Sequence, residues 1–213
     1  LSAYLRLLTR VRREGPGSVP AAGPVIVAAN HHCSLDPFLL IATTPPERMP
    51  AFLIAREFAE WPLFSRLVRL AGGIPVNRTG LDTAATRAAL RHLRRGGVLG
   101  IFPQGGIRPP DEDPVPHDGV GLLALQGPAT VIPAFISGTH ATPNVLTPWL
   151  RPQRAVVRYG PPVDLTRWRD RGRDRTACAE AAREVMRAIM ALRPATEDAP
   201  PDGKGRDNAA APR

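Results

Sequence analysis

The sequence predicts an α/β fold: a single layered domain in which a mostly buried mixed sheet is covered by helices. Two observations carry that expectation. Short apolar runs such as Pro24-Val25-Ile26-Val27-Ala28-Ala29, Val98-Leu99-Gly100-Ile101-Phe102 and the segment Thr130–Ile136 are bounded by turn residues, as buried strands are. Between them lie segments with helical periodicity, so strands and helices alternate along the chain. There is no internal repeat.

The elements follow in order. Leu1, Tyr4, Leu5, Leu8 and Val11 share one helical face and Arg6, Arg10 and Arg13 another, which predicts an amphipathic helix and linker over residues 1–19. Such a helix either packs on the domain core or rests in a membrane interface, and the pattern alone leaves both open. After the strand at Pro24–Ala29, Asp36-Pro37 reads as an N-cap and first-turn proline opening a helix through Ala42. Ala51–Ile54 reads as a second strand, residues 58–70 as a helix with Pro62 near a kink or start, and residues 73–78 as a turn into a third strand. Asp82 caps an alanine-rich helix that runs to Arg95 and stops at Gly96-Gly97. The strand Val98–Phe102 leads into a loop over residues 107–118, dense in proline and acidic groups. A helix over Val120–Gln126, strands over Thr130–Ile136 and Arg154–Tyr159, and a helix over Ala177–Leu192 complete the domain, which spans residues 20–193. Residues 194–213 hold almost nothing that could pack and read as a disordered tail.

The formal charge of +9 rests almost wholly on arginine, because Lys204 is the only lysine. A net-positive protein is drawn to polyanions, either nucleic acid or an anionic membrane surface. Nucleic acid is disfavoured here: zinc-finger spacing is absent and few aromatics could stack on bases. Cys33 and Cys178 make no disulfide framework, and neither a secretory signal nor an apolar run of ~18 residues is present. The expectation is an intracellular protein, soluble or peripheral to a membrane.

His31 and Asp36 are the residues most suggestive of chemistry. On one continuous helix, side chains five positions apart would point away from each other; across a strand-to-helix turn they can meet. A histidine so placed suits a base, and the aspartate its orienting carboxylate. The same residues also suit a plain helix cap and a polar strand end. No metal site is expected, because adjacent His31, His32 and Cys33 point to opposite faces and no other His or Cys pair has ligand spacing.

Four segments resemble the glycerolipid acyltransferases, in particular the 1-acylglycerol-3-phosphate (lysophosphatidate) acyltransferase family. Asn30-His31-His32-Cys33-Ser34-Leu35-Asp36-Pro37 is similar to that family's N-H-x-S-x-x-D-P, and Gly73-Ile74-Pro75-Val76-Asn77-Arg78 to its G-x-I-P-V-D-R. Phe102-Pro103-Gln104-Gly105-Gly106 is similar to F-P-E-G-T-R-S, and residues 131–139 to its V-P-V-x-I-x-G-T block. The departures are Cys33 for serine, Asn77 for aspartate, Gln104 for glutamate, and Ile107 for arginine, with Arg108 one position later.

The resemblance implies a glycerol-phosphate acyltransferase-like fold and an O-acyltransferase of phospholipid biosynthesis. The acyl donor is acyl-CoA or acyl carrier protein, so no cofactor is needed. The acceptor is a lysophospholipid, with 1-acylglycerol-3-phosphate favoured. His31 and Asp36 are then catalytic, with direct attack by the acceptor rather than an acyl-enzyme on Ser34 or Cys33. Arg78, Asn77, Gln104, Gly105, Gly106 and Arg108 are the substrate-binding candidates, and Pro133 shapes the pocket. His92 and His117 are expected to be exposed, and His140 has no assigned role. The expected location is the cytoplasmic face of a membrane, held peripherally on anionic lipid. Two alternatives stand beside this reading: a different lysolipid acceptor, and a lipid- or acyl-carrier-binding protein without turnover.

Overall fold

One mixed sheet of seven strands organises the described residues: β1 (Arg12–Glu14), β2 (Val25–Ala29), β3 (Ala51–Ala55), β4 (Ile74–Val76), β5 (Val98–Ile101), β6 (Thr130–Ser137) and β7 (Val156–Tyr159). Their spatial order is β1-β7-β6-β2-β5-β3-β4. The computed structural model describes residues 9–59, 72–77, 82–110, 112–142, 144 and 146–195. Every pairing from β6 through β4 is parallel, whereas β6 and β7 are antiparallel. Helices α1 (Asp36–Thr43), α2 (Arg56–Ala59), α3 (Thr83–Arg94), α4 (Gly119–Gln126), α5 (Thr147–Leu150) and α6 (Arg175–Met190) connect and cover the strands.

β2 sits in the middle and is buried on both faces, which its β-branched run anticipates. Its side chains alternate between two cores. Ile26 and Ala28 join Leu93, Leu123, Val185 and Ile189 beneath α3, α4 and α6. Val25, Val27 and Ala29 join Leu39 and Leu40 of α1, with Ile132, Val157 and Tyr159, on the opposite face. Asn30 then fastens the end of β2 to β6. Its side-chain amide donates to the Ile136 carbonyl at 2.8 Å, and its Oδ1 accepts the Ile136 N–H at 2.7 Å. One buried side chain thus continues the ladder where the backbone leaves it.

The parallel arrangement has a direct consequence for function. β2, β4, β5 and β6 all end at the same edge of the sheet; the first and third sequence blocks follow β2 and β5 there, and the second and fourth contain β4 and β6 themselves. The carboxyl edge is where open α/β sheets bind ligands.

Asp82 caps α3 as its position predicts, with Oδ1 accepting the N–H groups of Ala84 and Ala85. The N-terminal region departs from expectation. Arg12–Glu14 form an exposed edge strand parallel to β7, so no helix runs to Arg13. Residues 1–8 lie outside the described residues, as do the predicted helix from residue 60 onward and the tail from residue 196. The short helix α5 and a 3₁₀ segment at Thr166–Arg171 have no counterpart in the sequence reading.

Candidate active site

The chain leaves β2 at Asn30, turns through His31–Leu35 and enters α1 at Asp36. Asp36 is fully buried and is not the cap of its helix: it is the first helical residue, and no side chain caps the end. Its carboxylate reaches back over the turn instead. Oδ2 accepts the His32 N–H at 2.7 Å, the Cys33 N–H at 2.9 Å and His31 Nδ1 at 2.9 Å. Oδ1 accepts the Cys33 thiol at 3.3 Å. A buried carboxylate survives only where its oxygens are met by donors, and this turn supplies four.

That network sets the state of His31. A carboxylate can only accept, so the neutral ring carries its proton on Nδ1 and presents Nε2 as the acceptor. The ring stacks on Phe102 with centroids 4.1 Å apart and planes 17° from parallel, and its side chain keeps 14% exposure. Phe102 stacks in turn on Phe52 at 5.8 Å. Phe52 packs against Gly100, where a Cβ would come within 2.2 Å of its ring. The missing side chain in β5 therefore fixes two aromatic rings and, through them, the plane of the imidazole.

The third block holds the same histidine by its backbone. Gln104 is buried, and its Oε1 accepts the His31 N–H at 3.1 Å. The Arg108 N–H donates to the His31 carbonyl at 2.9 Å. Residues 105–107 therefore arc past His31 between two anchors. Gly105 has φ +72°, and a Cβ there would strike the His117 ring, whereas nothing lies within 4 Å of the Cβ position of Gly106. Gln104 thus uses its carbonyl oxygen on the histidine, a contact that needs an acceptor and not a charge.

Arg108 does more with its backbone than with its side chain. Its carbonyl accepts Nδ1 of His32 at 2.7 Å, while its guanidinium pairs with the exposed Glu112 at 3.3 Å. His32 points to the opposite side of the turn from His31 and lines a small cavity with Asn30, Gln104 and Phe135. Cys33, at the family's serine position, is wholly buried. Burial first, and the Asp36 charge second, push its thiol up to about 12, so it remains an S–H donor and not a thiolate nucleophile. Ser34 Oγ accepts the indole N–H of Trp149 at 3.2 Å.

Asn77 follows β4, and its N–H donates to Asp82 Oδ2 at 2.9 Å. β4 is three strands from β2, which puts its end roughly 14 Å from the histidine's strand across the sheet. Arg78 lies outside the described residues. Pro133 sits within β6 beside Ala28. His117 is exposed as expected, but its ring covers Gly105. His92 is not free: its Nε2 meets the Val98 carbonyl at 2.9 Å and ties α3 to β5. His140 donates its N–H to Gln153 Oε1 at 3.0 Å. The inward roles of Gln104, Arg108 and His32 are absent from the sequence reading. Only the adjacency of Gln104 to a glycine turn hinted at them.

Comparison with known proteins decides the family. A family model described as Acyltransferase matches residues 10–137, well over half of the chain and all four blocks up to Ser137. The chain belongs to the Acyltransferase family. Among curated relatives, a 1-acyl-sn-glycerol-3-phosphate acyltransferase of Limnanthes alba is 28% identical over 157 residues, covering 71% of this chain and 54% of that protein. Its counterpart in Borreliella burgdorferi is 26% identical over 129 residues, covering 59% of this chain and 50% of that protein. The chain thus spans about half the length of the curated relatives it matches. The crystal structure of the 1-acyl-sn-glycerophosphate (LPA) acyltransferase PlsC from Thermotoga maritima shares the fold, with a TM-score of 0.60 and 23% identity over 91% of this chain and 77% of that one.

Proposed function

We propose that this acyltransferase moves a fatty acyl group from a thioester, acyl-CoA or acyl carrier protein, to the hydroxyl of a lysophospholipid. Lysophosphatidate, the acceptor in the names of its relatives, is the favoured substrate. The observation that carries this reading is the 2.9 Å contact between His31 Nδ1 and buried Asp36 Oδ2, which leaves Nε2 of a partly exposed ring to take a proton.

The chemistry follows from that tautomer. The acceptor oxygen attacks the thioester carbonyl carbon while His31 Nε2 removes its proton. Asp36 stabilises the resulting imidazolium through Nδ1–H, as the carboxylate does in the serine-protease triad. The tetrahedral intermediate collapses, the C–S bond breaks, and the leaving thiolate takes the proton back from Nε2. The products are an ester and a free thiol, and no acyl-enzyme is formed. The donor is a substrate, so the reaction asks for no cofactor. The open backbone at Gly106 lets a substrate oxygen approach the turn beside His31. Arg78 and Asn77 are assigned to the acceptor's phosphate, and the glycine turn and the half-exposed Arg108 guanidinium to substrate binding near His31.

A lysophospholipid resides in a bilayer, so the enzyme works at a membrane surface, on the cytoplasmic face. No helix among the described residues is long and apolar enough to cross a membrane. Transfer of radiolabelled acyl groups from acyl-CoA and from acyl carrier protein to a panel of lysolipids tests the proposal. A labelled phosphatidate product supports it; label on another headgroup redirects the acceptor, and no label on any acceptor removes the transferase reading.

A further inference from the structure

We infer that Leu146 and Leu150, with Arg151 and Arg154 beside them, form the surface that this protein lays on anionic lipid. The inference rests on the reading above that the acceptor is a membrane lipid.

Leu146 and Leu150 are 70% and 77% exposed, among the few large apolar side chains that the described residues leave in water. They stand four positions apart across α5, so they rise on one side of it. The same segment is built onto the turn that holds His31. Trp149 donates its indole N–H to Ser34, and its ring meets Phe38 edge-on at 4.9 Å. Thr142 donates its N–H to the His32 carbonyl at 3.1 Å. Buried Gln153 braces the base, its amide donating to the Pro148 carbonyl at 2.6 Å. A pair of leucines is thus held outward on a segment fastened to the candidate catalytic turn.

Charge identifies the occupant. From Gly119 to Val163 the chain contains no Asp or Glu, while Arg151 and Arg154 are exposed beside the leucines. Val115, also exposed, contrasts with this: it follows Asp111, Glu112 and Asp113. Apolar side chains flanked by arginine suit the interface of an anionic bilayer. A second copy docked about a two-fold axis would instead set these arginines against each other. A lipid surface seated here also meets the protein beside His31, where an acceptor drawn from the bilayer must arrive.

The test is sedimentation of the full chain with vesicles of phosphatidylcholine alone and of equimolar phosphatidylcholine and phosphatidylglycerol. The expected result is preference for the mixed vesicles, and for Leu146→Ser/Leu150→Ser a partition coefficient lower by about tenfold or more, with unchanged circular dichroism. Transfer to a water-soluble short-chain lysophosphatidate should be the same in this variant as in the parent. Vesicle binding is read without turnover, so it decides the inference even if the acyl-transfer reading fails. Three results overturn it: vesicle binding unchanged in the double variant, equal binding to both vesicle types, or a concentration-dependent dimer that the double variant loses.

Discussion

The side-chain oxygen of Gln104 holds the backbone N–H of His31 at 3.1 Å, across 73 residues of sequence. The family pattern has glutamate here, and the structure explains why glutamine serves. The contact needs one acceptor oxygen, which both side chains supply. Gln104→Met keeps the shape and removes the acceptor, leaving a buried N–H unpaired. Urea unfolding should show a loss of about 1–3 kcal/mol, with a fall in kcat as the histidine backbone shifts. Gln104→Glu should retain turnover within about threefold, since the acceptor is kept. Equal damage from both variants would mean that the amide N–H₂ matters as much as the oxygen.

Two substitutions at Asp36 separate its charge from its structural role. Asp36→Asn keeps an oxygen for the turn's backbone donors but removes the charge that stabilises a protonated His31. Turnover should fall ~10²–10⁴-fold, by analogy with the corresponding change in the serine-protease triad, with little loss of stability. Asp36→Ala abandons the His32 and Cys33 N–H groups, which the carboxylate pairs at 2.7 and 2.9 Å. Thermal unfolding should show it to be much the less stable of the two.

Alkaline pH should destabilise the fold through two buried groups. Burial raises the Cys33 thiol from 9.0 and the Tyr159 hydroxyl from 10.0, each to about 12. Both are neutral when protonated, so their contribution is complete below the unfolded values and is lost as pH climbs through the folded ones. Urea unfolding across that window should show stability falling with pH, and Tyr159→Phe should make the fall shallower. At neutral pH, Cys33 and Cys178, both buried and free, should resist thiol reagents until the chain is denatured. A thiol count of one or more in the native protein would contradict this assignment.

Arg78→Ala should act on the acceptor and not the donor. Losing a charge-assisted contact of ~1.5–3 kcal/mol raises the acceptor KM about ten- to hundredfold, while the donor KM moves little. Steady-state kinetics with each substrate varied in turn decide it. An acceptor KM within about twofold of the parent would place phosphate recognition elsewhere.

What the sequence made legible was local. The meeting of His31 and Asp36 depends on five residues of turn, and the caps and strand runs depend on near neighbours. Asp36-Pro37 misled because a cap and a reach-back carboxylate share the same sequence sign, and only the donors at His32 and Cys33 separate them. β1 was hidden for a different reason. Arg12-Arg13-Glu14 is exposed and held by backbone pairing with β7, so apolar periodicity carries no trace of it. Asn30 with Ile136, and Gln104 with His31, are long-range partners that no spacing rule reaches.

The central claim is that His31, oriented by Asp36, is the base for acyl transfer. It is tested most directly by kcat of purified His31→Ala with acyl donor and lysophosphatidate, with circular dichroism showing that the variant is folded. The account predicts a loss of ~10²-fold or more. A folded variant that keeps more than about a tenth of the parent's kcat would contradict it.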